Sequence, residues 1–333
     1  MKKGICVILS VLLVVLGVLP AFASGEEADS FGAYKHVFII GVDGAGRFFR
    51  DAETPNFDRI FENGAVDYTA RAETITVSAQ NWGSILTGVS YLKHGLTNDI
   101  TGAKERSSDT KYPSVFTYVH HAMPDAELAS FCNWDNINYG IIENDIGVHK
   151  EHRGSDEEVA DAICDYFNGG GAPALFFLQF DGVDHVGHDK GSASSEYIRQ
   201  IESVDQLIGQ VYDAAAANGL MEDGLFIVVA DHGHTRAGGH GGVTKRETDV
   251  TVAAAGKTVQ KGGKLDSIAR NRDVAAIALY ALGIERPDHM TSRVPSGLFS
   301  GVIGEPRPTY KDLADAFVSF FCGIATFFTG IAG

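Results

Sequence analysis

Three short stretches of the chain are apolar at almost every position: residues 36–42 (HVFIIGV), 174–180 (ALFFLQF) and 225–230 (LFIVVA). A strand with one wet face alternates polar and apolar residues, so runs this continuous predict strands buried on both faces. The spaces between them carry a different period. Residues 194–217 place Ile198, Ile201, Val204, Leu207, Ile208 and Val211 along one side of a helix with charges opposite, and residues 156–167 read as another helix. Strands separated by helices of this length imply crossover connections and an α/β fold. Its central sheet is mostly parallel and flanked by helices on both faces, a three-layer sandwich. Such sheets bind ligands beyond the carboxyl ends of their strands.

Each of the three runs ends at an acid: Asp43-Gly44 after the first, Asp181-Gly182 after the second, Asp231-His232-Gly233 after the third. Asp184 and His188 stand four residues apart in what reads as a turn, and His240 sits in the glycine run of residues 238–242. Five of the twelve histidines fall between residues 181 and 240. A lone Asp after a strand is more often a cap or turn residue, so Asp43 and His240 carry little weight singly. A parallel sheet, however, would bring Asp43, Asp184 and Asp231 to one edge. Mixed Asp and His donors there suit zinc and related divalent cations, with positions left open for substrate. His185 and His234 read as non-ligands, because their neighbours already fill those slots.

Residues 76–88 (TVSAQNWGSILTG) read as a loop feeding a helix that ends at Gly88, with Ser78 at or near its N-terminus. Backbone N–H groups at such a place attract phosphate or sulfate. A serine hydroxyl is a poor nucleophile until a base or a metal lowers its pKa. By composition alone Ser78 is no more than a cap, and Thr76 is an equal rival.

The two ends of the chain differ in character from the body between them. Lys2 and Lys3 precede an apolar run over residues 5–19, then Pro20 and Ala21-Phe22-Ala23, the layout of a secretory signal peptide cut before Ser24. Residues 316–333 are eighteen uncharged residues rich in Phe, just the length of a membrane span. Gly323, Gly330, Ser319 and Thr329 interrupt them, and a membrane anchor, a lipid-anchor signal and a docked helix all stay open. Between the ends, residues 34–300 are assigned to one catalytic domain, expected to be extracellular, periplasmic or at the cell surface. Cys132 and Cys164 are the cysteines left in that exported body, where a disulfide between them is allowed.

Composition narrows the functional classes. Of 333 residues, 44% are hydrophobic and 21% charged, which excludes a disordered chain. The net charge of −16, which becomes −18 once Lys2 and Lys3 are removed with the signal, argues against a nucleic-acid polymer as partner. An anionic substrate on so acidic a protein needs positive charge from elsewhere, and bound cations would supply it.

The motifs then fall into a recognisable order. Asp43-Gly44 comes first, followed by residues 54–60 (TPNFDRI) with Asn63-Gly64, then Thr87-Gly88 with His94-Gly95. Asp184-x-x-Gly187-His188 is next, and Asp231-His232-Gly233 with His240 closes the series. Together these resemble the alkaline phosphatase superfamily over residues 34–300, with the order and spacing of its type I phosphodiesterase/nucleotide pyrophosphatase branch. The resemblance implies an alkaline phosphatase-like fold, two divalent metal ions, usually zinc, and a covalent phosphoryl adduct.

Carried over by position, the nucleophile is Ser78, nine residues before Thr87. The resemblance implies one metal held by Asp43, Asp231 and His232 and touching Ser78, and another held by Asp184, His188 and His240. It also implies Asn98 as a grip on a phosphate oxygen, one residue earlier than the commonest spacing. Asn81 matches an Asn of the nucleophile motif and is a second substrate-side candidate that also fits a loop support. Residues 78–82 carry no Arg, unlike the sulfatase motif, and the large inserted domain of the cofactor-independent mutases is missing.

The implied activity is hydrolysis of phosphoric ester or phosphoanhydride bonds in a small substrate, a nucleotide, phosphodiester or phosphomonoester, through a phosphoseryl intermediate. Alternatives are a sulfatase-like hydrolase, a phosphoethanolamine-type transferase and an inactive metal-binding surface protein. Trp134, Asn136, Tyr139 and His149 either line a leaving-group pocket or pack a subdomain.

Overall fold

The computed structural model describes residues 30–263, 265 and 269–302, so residues 1–23 and 316–333 lie outside the described residues. Among the described residues no helix is long and apolar enough to cross a membrane.

Seven strands form one sheet: β1 (His36–Val42), β2 (Ala65–Arg71), β3 (Leu128–Cys132), β4 (His149–His152), β5 (Leu175–Phe180), β6 (Gly224–Ala230) and β7 (Asp249–Ala255), in the order β2-β7-β6-β1-β5-β3-β4. The neighbours of β1 are both parallel to it, as β3 is to β5 and β4, while β7 runs antiparallel to β6 and β2. The sheet is therefore mostly parallel, and the three apolar runs are its adjacent central strands. The helices are α1 (Pro55–Phe61), α2 (Ser78–Thr87), α3 (Tyr91–His94), α4 (Asn98–Ala103), α5 (Val115–Ala122), α6 (Asn136–Gly140), α7 (Asp156–Asn168), α8 (Gly182–Lys190), α9 (Ser195–Ala217), α10 (Lys245–Thr248) and α11 (Asp273–Ala281).

Both sheet faces are covered, which is why the central strands carry no alternation. Phe38 and its neighbours in register, Phe176 and Phe226, share one face, where they meet Phe167 of α7, Phe61 of α1 and Tyr212 of α9. Phe177 points the other way, onto Trp82 of α2 with ring centroids 5.7 Å apart. Large rings in such contacts supply most of the apolar burial that holds the layers together.

One expectation changes, and one point the sequence left open is decided. The segment carrying Asp184 and His188 is a helix, α8, rather than a turn. Its glycines hide the helical signal, and its first N–H groups are satisfied by the Asp156 carboxylate, which accepts from Asp181 N at 2.7 Å and Gly182 N at 2.9 Å. Cys132 and Cys164 are both free thiols: Cys132 is buried beside Ser130 and Cys164 lies against Gln210.

Candidate active site

The strand register places the acids. Val42, Phe180 and Ala230 are partners on one rung, so Asp43, the start of α8 and Asp231-His232 all leave the sheet at the same edge. α2 brings Ser78 to that edge from the other side of the sheet. Ser78 is the first residue of the helix, and its Oγ lies 3.2 Å from His232 Nε2.

Asp43 and Asp231 are held in the same manner. Asp43 Oδ2 accepts from Trp82 Nε1 at 2.7 Å and Gln179 Nε2 at 3.1 Å, while its Oδ1 is buried with no hydrogen-bond partner and lies 3.6 Å from His232 Nε2. Asp231 Oδ1 accepts from the backbone N–H groups of Gly44 and His232, and its Oδ2 is likewise unpartnered, 3.2 Å from His232 Nε2. Each carboxylate thus has one oxygen fixed and one turned inward. Burial, and after it the charges of Asp231, Asp184 and Asp181, pushes the Asp43 carboxyl well above its usual range, and burial does the same to Asp231. A bound cation would offset that cost directly.

A second cluster lies alongside. Asp184 Oδ2 is 3.3 Å from His188 Nε2, His188 Nε2 is 3.0 Å from His240 Nε2, and Asp184 Oδ1 is 3.7 Å from His240 Nε2. On a helix, residues four apart share a face, which is how Asp184 and His188 converge. Burial raises the Asp184 carboxyl, but the hydrogen bonds from His188 and His234, with His232 and His240 nearby, outweigh it and hold the group well below its usual range. Burial pushes the pKa values of His232 and His240 down, so both rings are neutral and fit to ligate.

These spacings fit metal binding. A tetrahedral ion with bonds of about 2.0–2.1 Å requires donor–donor edges of roughly 3.3–3.4 Å, and the separations above bracket that value. Asp43, Asp231 and His232 form one trio able to hold a cation, and Asp184, His188 and His240 another. Asp184, His232 and His234 form a third combination that shares members with both.

The structure therefore brings together Ser78, Asp43, Asp184, His188, Asp231, His232 and His240. Asn98 joins them: its Oδ1 accepts from Ala79 N–H at 3.1 Å, one residue after Ser78, and its Nδ2 is engaged by no group among the described residues. Asn81 does not face outward. It is fully buried, its Oδ1 accepts from Glu73 N and Asn271 Nδ2, and its Nδ2 donates to the carbonyls of Ile75 and Val77. With donors and acceptor both engaged inside the protein, it braces the Ser78 loop, which corrects its reading as a substrate contact.

His149 is also removed from the site. It opens β4, at the far end of the sheet, and stacks on Tyr166. Asn136 stays near, donating to the Asn98 carbonyl at 3.4 Å, and Trp134 is half-buried with its backbone N–H donating to Gln179 Oε1 at 2.9 Å. His185 is exposed and its nearest carboxylate is Asp181.

His234 is the residue that local reasoning set aside. It is fully buried, and its Nε2 lies 2.8 Å from Asp184 Oδ1. Gly187 makes this possible, because a Cβ at that position would overlap the His234 ring. The glycine inside Asp184-x-x-Gly187-His188 was the available signal.

A family model described as type I phosphodiesterase/nucleotide pyrophosphatase matches residues 37–294. GPI ethanolamine phosphate transferase 2 of Aspergillus oryzae is 34% identical over 75 residues, 22% of this chain and 9% of that protein. The catalytic subunit of mouse GPI ethanolamine phosphate transferase 3 is 30% identical over 149 residues, 44% of this chain and 13% of the relative. The chain thus spans only a small part of these curated relatives.

Murine ectonucleotide pyrophosphatase/phosphodiesterase 5, in an inactive form complexed with AMP, superposes with a TM-score of 0.63 at 15% identity, covering 77% of this chain and 96% of that one. A sulfatase from Pseudoalteromonas sp. superposes at 0.58 and 13% identity, covering 75% and 68% respectively. These likenesses establish the alkaline phosphatase-like α/β fold.

Proposed function

Since the chain belongs to the type I phosphodiesterase/nucleotide pyrophosphatase family of the alkaline phosphatase superfamily, whose members are hydrolases or transferases, we propose that it cleaves phosphoric esters through a phosphoseryl intermediate on Ser78. The observation that carries this reading is the position of Ser78 Oγ, 3.2 Å from His232 Nε2, where the unpartnered oxygens of Asp43 and Asp231 converge. Asp43, Asp231 and His232 would hold one divalent ion and Asp184, His188 and His240 another, with zinc best matched to the donor set. When bound, the ions would act as Lewis acids on the serine hydroxyl and the phosphoryl oxygens.

The chain's own residues account for the rest of the chemistry. Ser78 Oγ attacks phosphorus in line: the new Oγ–P bond forms, the serine hydroxyl proton is given up to solvent, and the ester bond breaks as the leaving oxygen departs and takes a proton from solvent. Asn98 Nδ2 and the Ser78 N–H at the start of α2 donate to a non-bridging oxygen, where negative charge grows. In the second half a water attacks the same phosphorus from the opposite side, and Oγ–P breaks. The substrate class is a small phosphodiester, nucleotide or phosphomonoester. Residues 1–23 act as an export signal and residues 316–333 as a membrane anchor in this reading.

A transferase is the second reading, favoured by the names of the curated relatives, which are ethanolamine phosphate transferases. It uses the same Ser78 and differs only in the acceptor of the second half-reaction.

Purified protein assayed on aryl phosphate mono- and diesters, nucleotides and an aryl sulfate separates the classes. Ser78→Ala is expected to abolish turnover while keeping the zinc content of the wild type, and undiminished activity would remove the covalent route. With an ethanolamine phosphodiester added as donor, phosphoethanolamine appearing on an added alcohol rather than free in water would select the transferase.

A further inference from the structure

The loop bearing His240 is rich in glycine. Gly238, Gly239 and Gly241 have φ of 104°, 77° and 106°, a left-handed conformation that costs glycine little but leaves the segment free to move. Thr235 closes its first half, donating from N–H to the Gly239 carbonyl at 3.0 Å and from Oγ1 to the Gly238 carbonyl at 2.5 Å, and two further fastenings hold the half that carries His240. On one side the buried Glu247 accepts from Gly242 N at 2.7 Å and from Thr244 Oγ1 at 2.6 Å. On the other stands Thr76, two residues before Ser78 and fully buried. Thr76 Oγ1 accepts from Gly241 N at 2.9 Å and donates to the Gly242 carbonyl at 3.0 Å, and the Thr76 carbonyl meets His240 Nδ1 at 2.5 Å.

The last contact fixes chemistry as well as position. A carbonyl oxygen only accepts, so His240 Nδ1 must carry the ring proton, and in the neutral ring Nε2 is left with a bare lone pair. That lone pair faces His188 Nε2 and Asp184.

We propose that Thr76 is a positioning residue that assembles the Asp184–His188–His240 cluster from the same loop that presents Ser78. The inference rests on the two-cation reading above. It makes one cation's affinity depend on the nucleophile loop through Thr76, whereas the carboxylates of the other cluster, Asp43 and Asp231, are oriented by Trp82, Gln179 and backbone groups that Thr76 does not touch.

The test is a zinc titration of the full chain by calorimetry, alongside the melting temperature of the zinc-free form. Thr76→Val replaces the hydroxyl with a methyl of similar size. It is expected to weaken one of two zinc ions by about 10- to 100-fold and leave the other within about twofold. Thr76→Ser should restore both, and Thr76→Ala, which removes the hydroxyl without a second methyl, should repeat the selective loss if the valine form folds poorly. Wild-type affinity for both ions in the valine and alanine forms, or equal weakening of both, overturns the proposal alone. A wild-type protein that binds no zinc overturns the two-cation reading and the proposal with it.

Discussion

Trp82 Nε1 donates to Asp43 Oδ2 at 2.7 Å, so the helix that begins with Ser78 also grips a carboxylate at the end of β1. Among the described residues only Gln179 Nε2 shares that oxygen. Trp82→Phe keeps an aromatic ring against Phe177 but leaves a buried carboxylate oxygen with one donor. The expected outcome is a stability loss of about 1–3 kcal/mol in urea unfolding. Zinc affinity should fall by about tenfold or more at one of the two positions. Unchanged zinc binding would show that this bond does not orient Asp43.

Removal of divalent ions should destabilise the fold, because cations neutralise carboxylates that burial and mutual repulsion oppose. At free zinc one hundred times the dissociation constant, each ion adds about 2.7 kcal/mol, worth roughly 4–5 °C in a chain this size. Thermal unfolding with and without a chelator reads this directly, and identical curves would count against a cation site.

Asn98 accepts from Ala79 N–H with Oδ1, and under the proposed function its Nδ2 donates to the substrate, so two variants separate these roles. Asn98→Ala should lower kcat/KM by about 100-fold or more, the scale of losing one donor to a developing anion. Asn98→Asp keeps the acceptor for Ala79 but replaces the donors with a negative charge, and should be at least as impaired. Near-wild-type activity in the aspartate form would rule out donation to phosphate.

Gly187→Ala places a Cβ inside the His234 ring. The ring must move and release Asp184 Oδ1, with an overpacking cost of about 1–3 kcal/mol. A second change, His234→Ala, removes the overlap, so the double variant should recover stability relative to the sum of the singles while remaining poor at binding zinc. Simple additivity would mean the two residues do not press on each other.

Asp156 supplies a pH signature away from the cations. Burial raises its carboxyl to about 6 despite the N–H groups of Asp181 and Gly182 that lower it. The folded form therefore holds this proton more tightly than the unfolded chain, and its contribution to stability falls as pH rises from about 4 to about 6, then stays level. Asp156→Asn cannot titrate there. Its stability deficit in urea unfolding should be largest near pH 4 and shrink toward pH 7, and a deficit that grows with pH would contradict the assignment.

How much of this was legible in the sequence follows from the range of the interactions. The three central strands were readable because burial on both faces is written locally, as unbroken apolar runs. The edge strand β4 was not, since His149-Lys150-Glu151-His152 has no apolar face to reveal it. α8 read as a turn because Gly182 and Gly187 lower helix propensity, while the carboxylate that caps it comes from Asp156, 26 residues away from Gly182.

For the site, the sequence by itself determined which chemical groups stand at the sheet edge. Asp43, Asp184 and Asp231 follow strands whose order and direction a crossover pattern fixes, and His188, His232 and His240 lie close to them along the chain. Only the tertiary structure decided which oxygen of each carboxylate faces inward, because the donors that turn them come from α2, β5 and the loop after β1. It likewise decided that His234 holds Asp184, that Asn81 is internal, and that Thr76 fastens a loop 164 residues further on. Hydrogen bonds of that sequence separation depend on distances of a few tenths of an ångström across packed layers, and no local pattern of residue types encodes them.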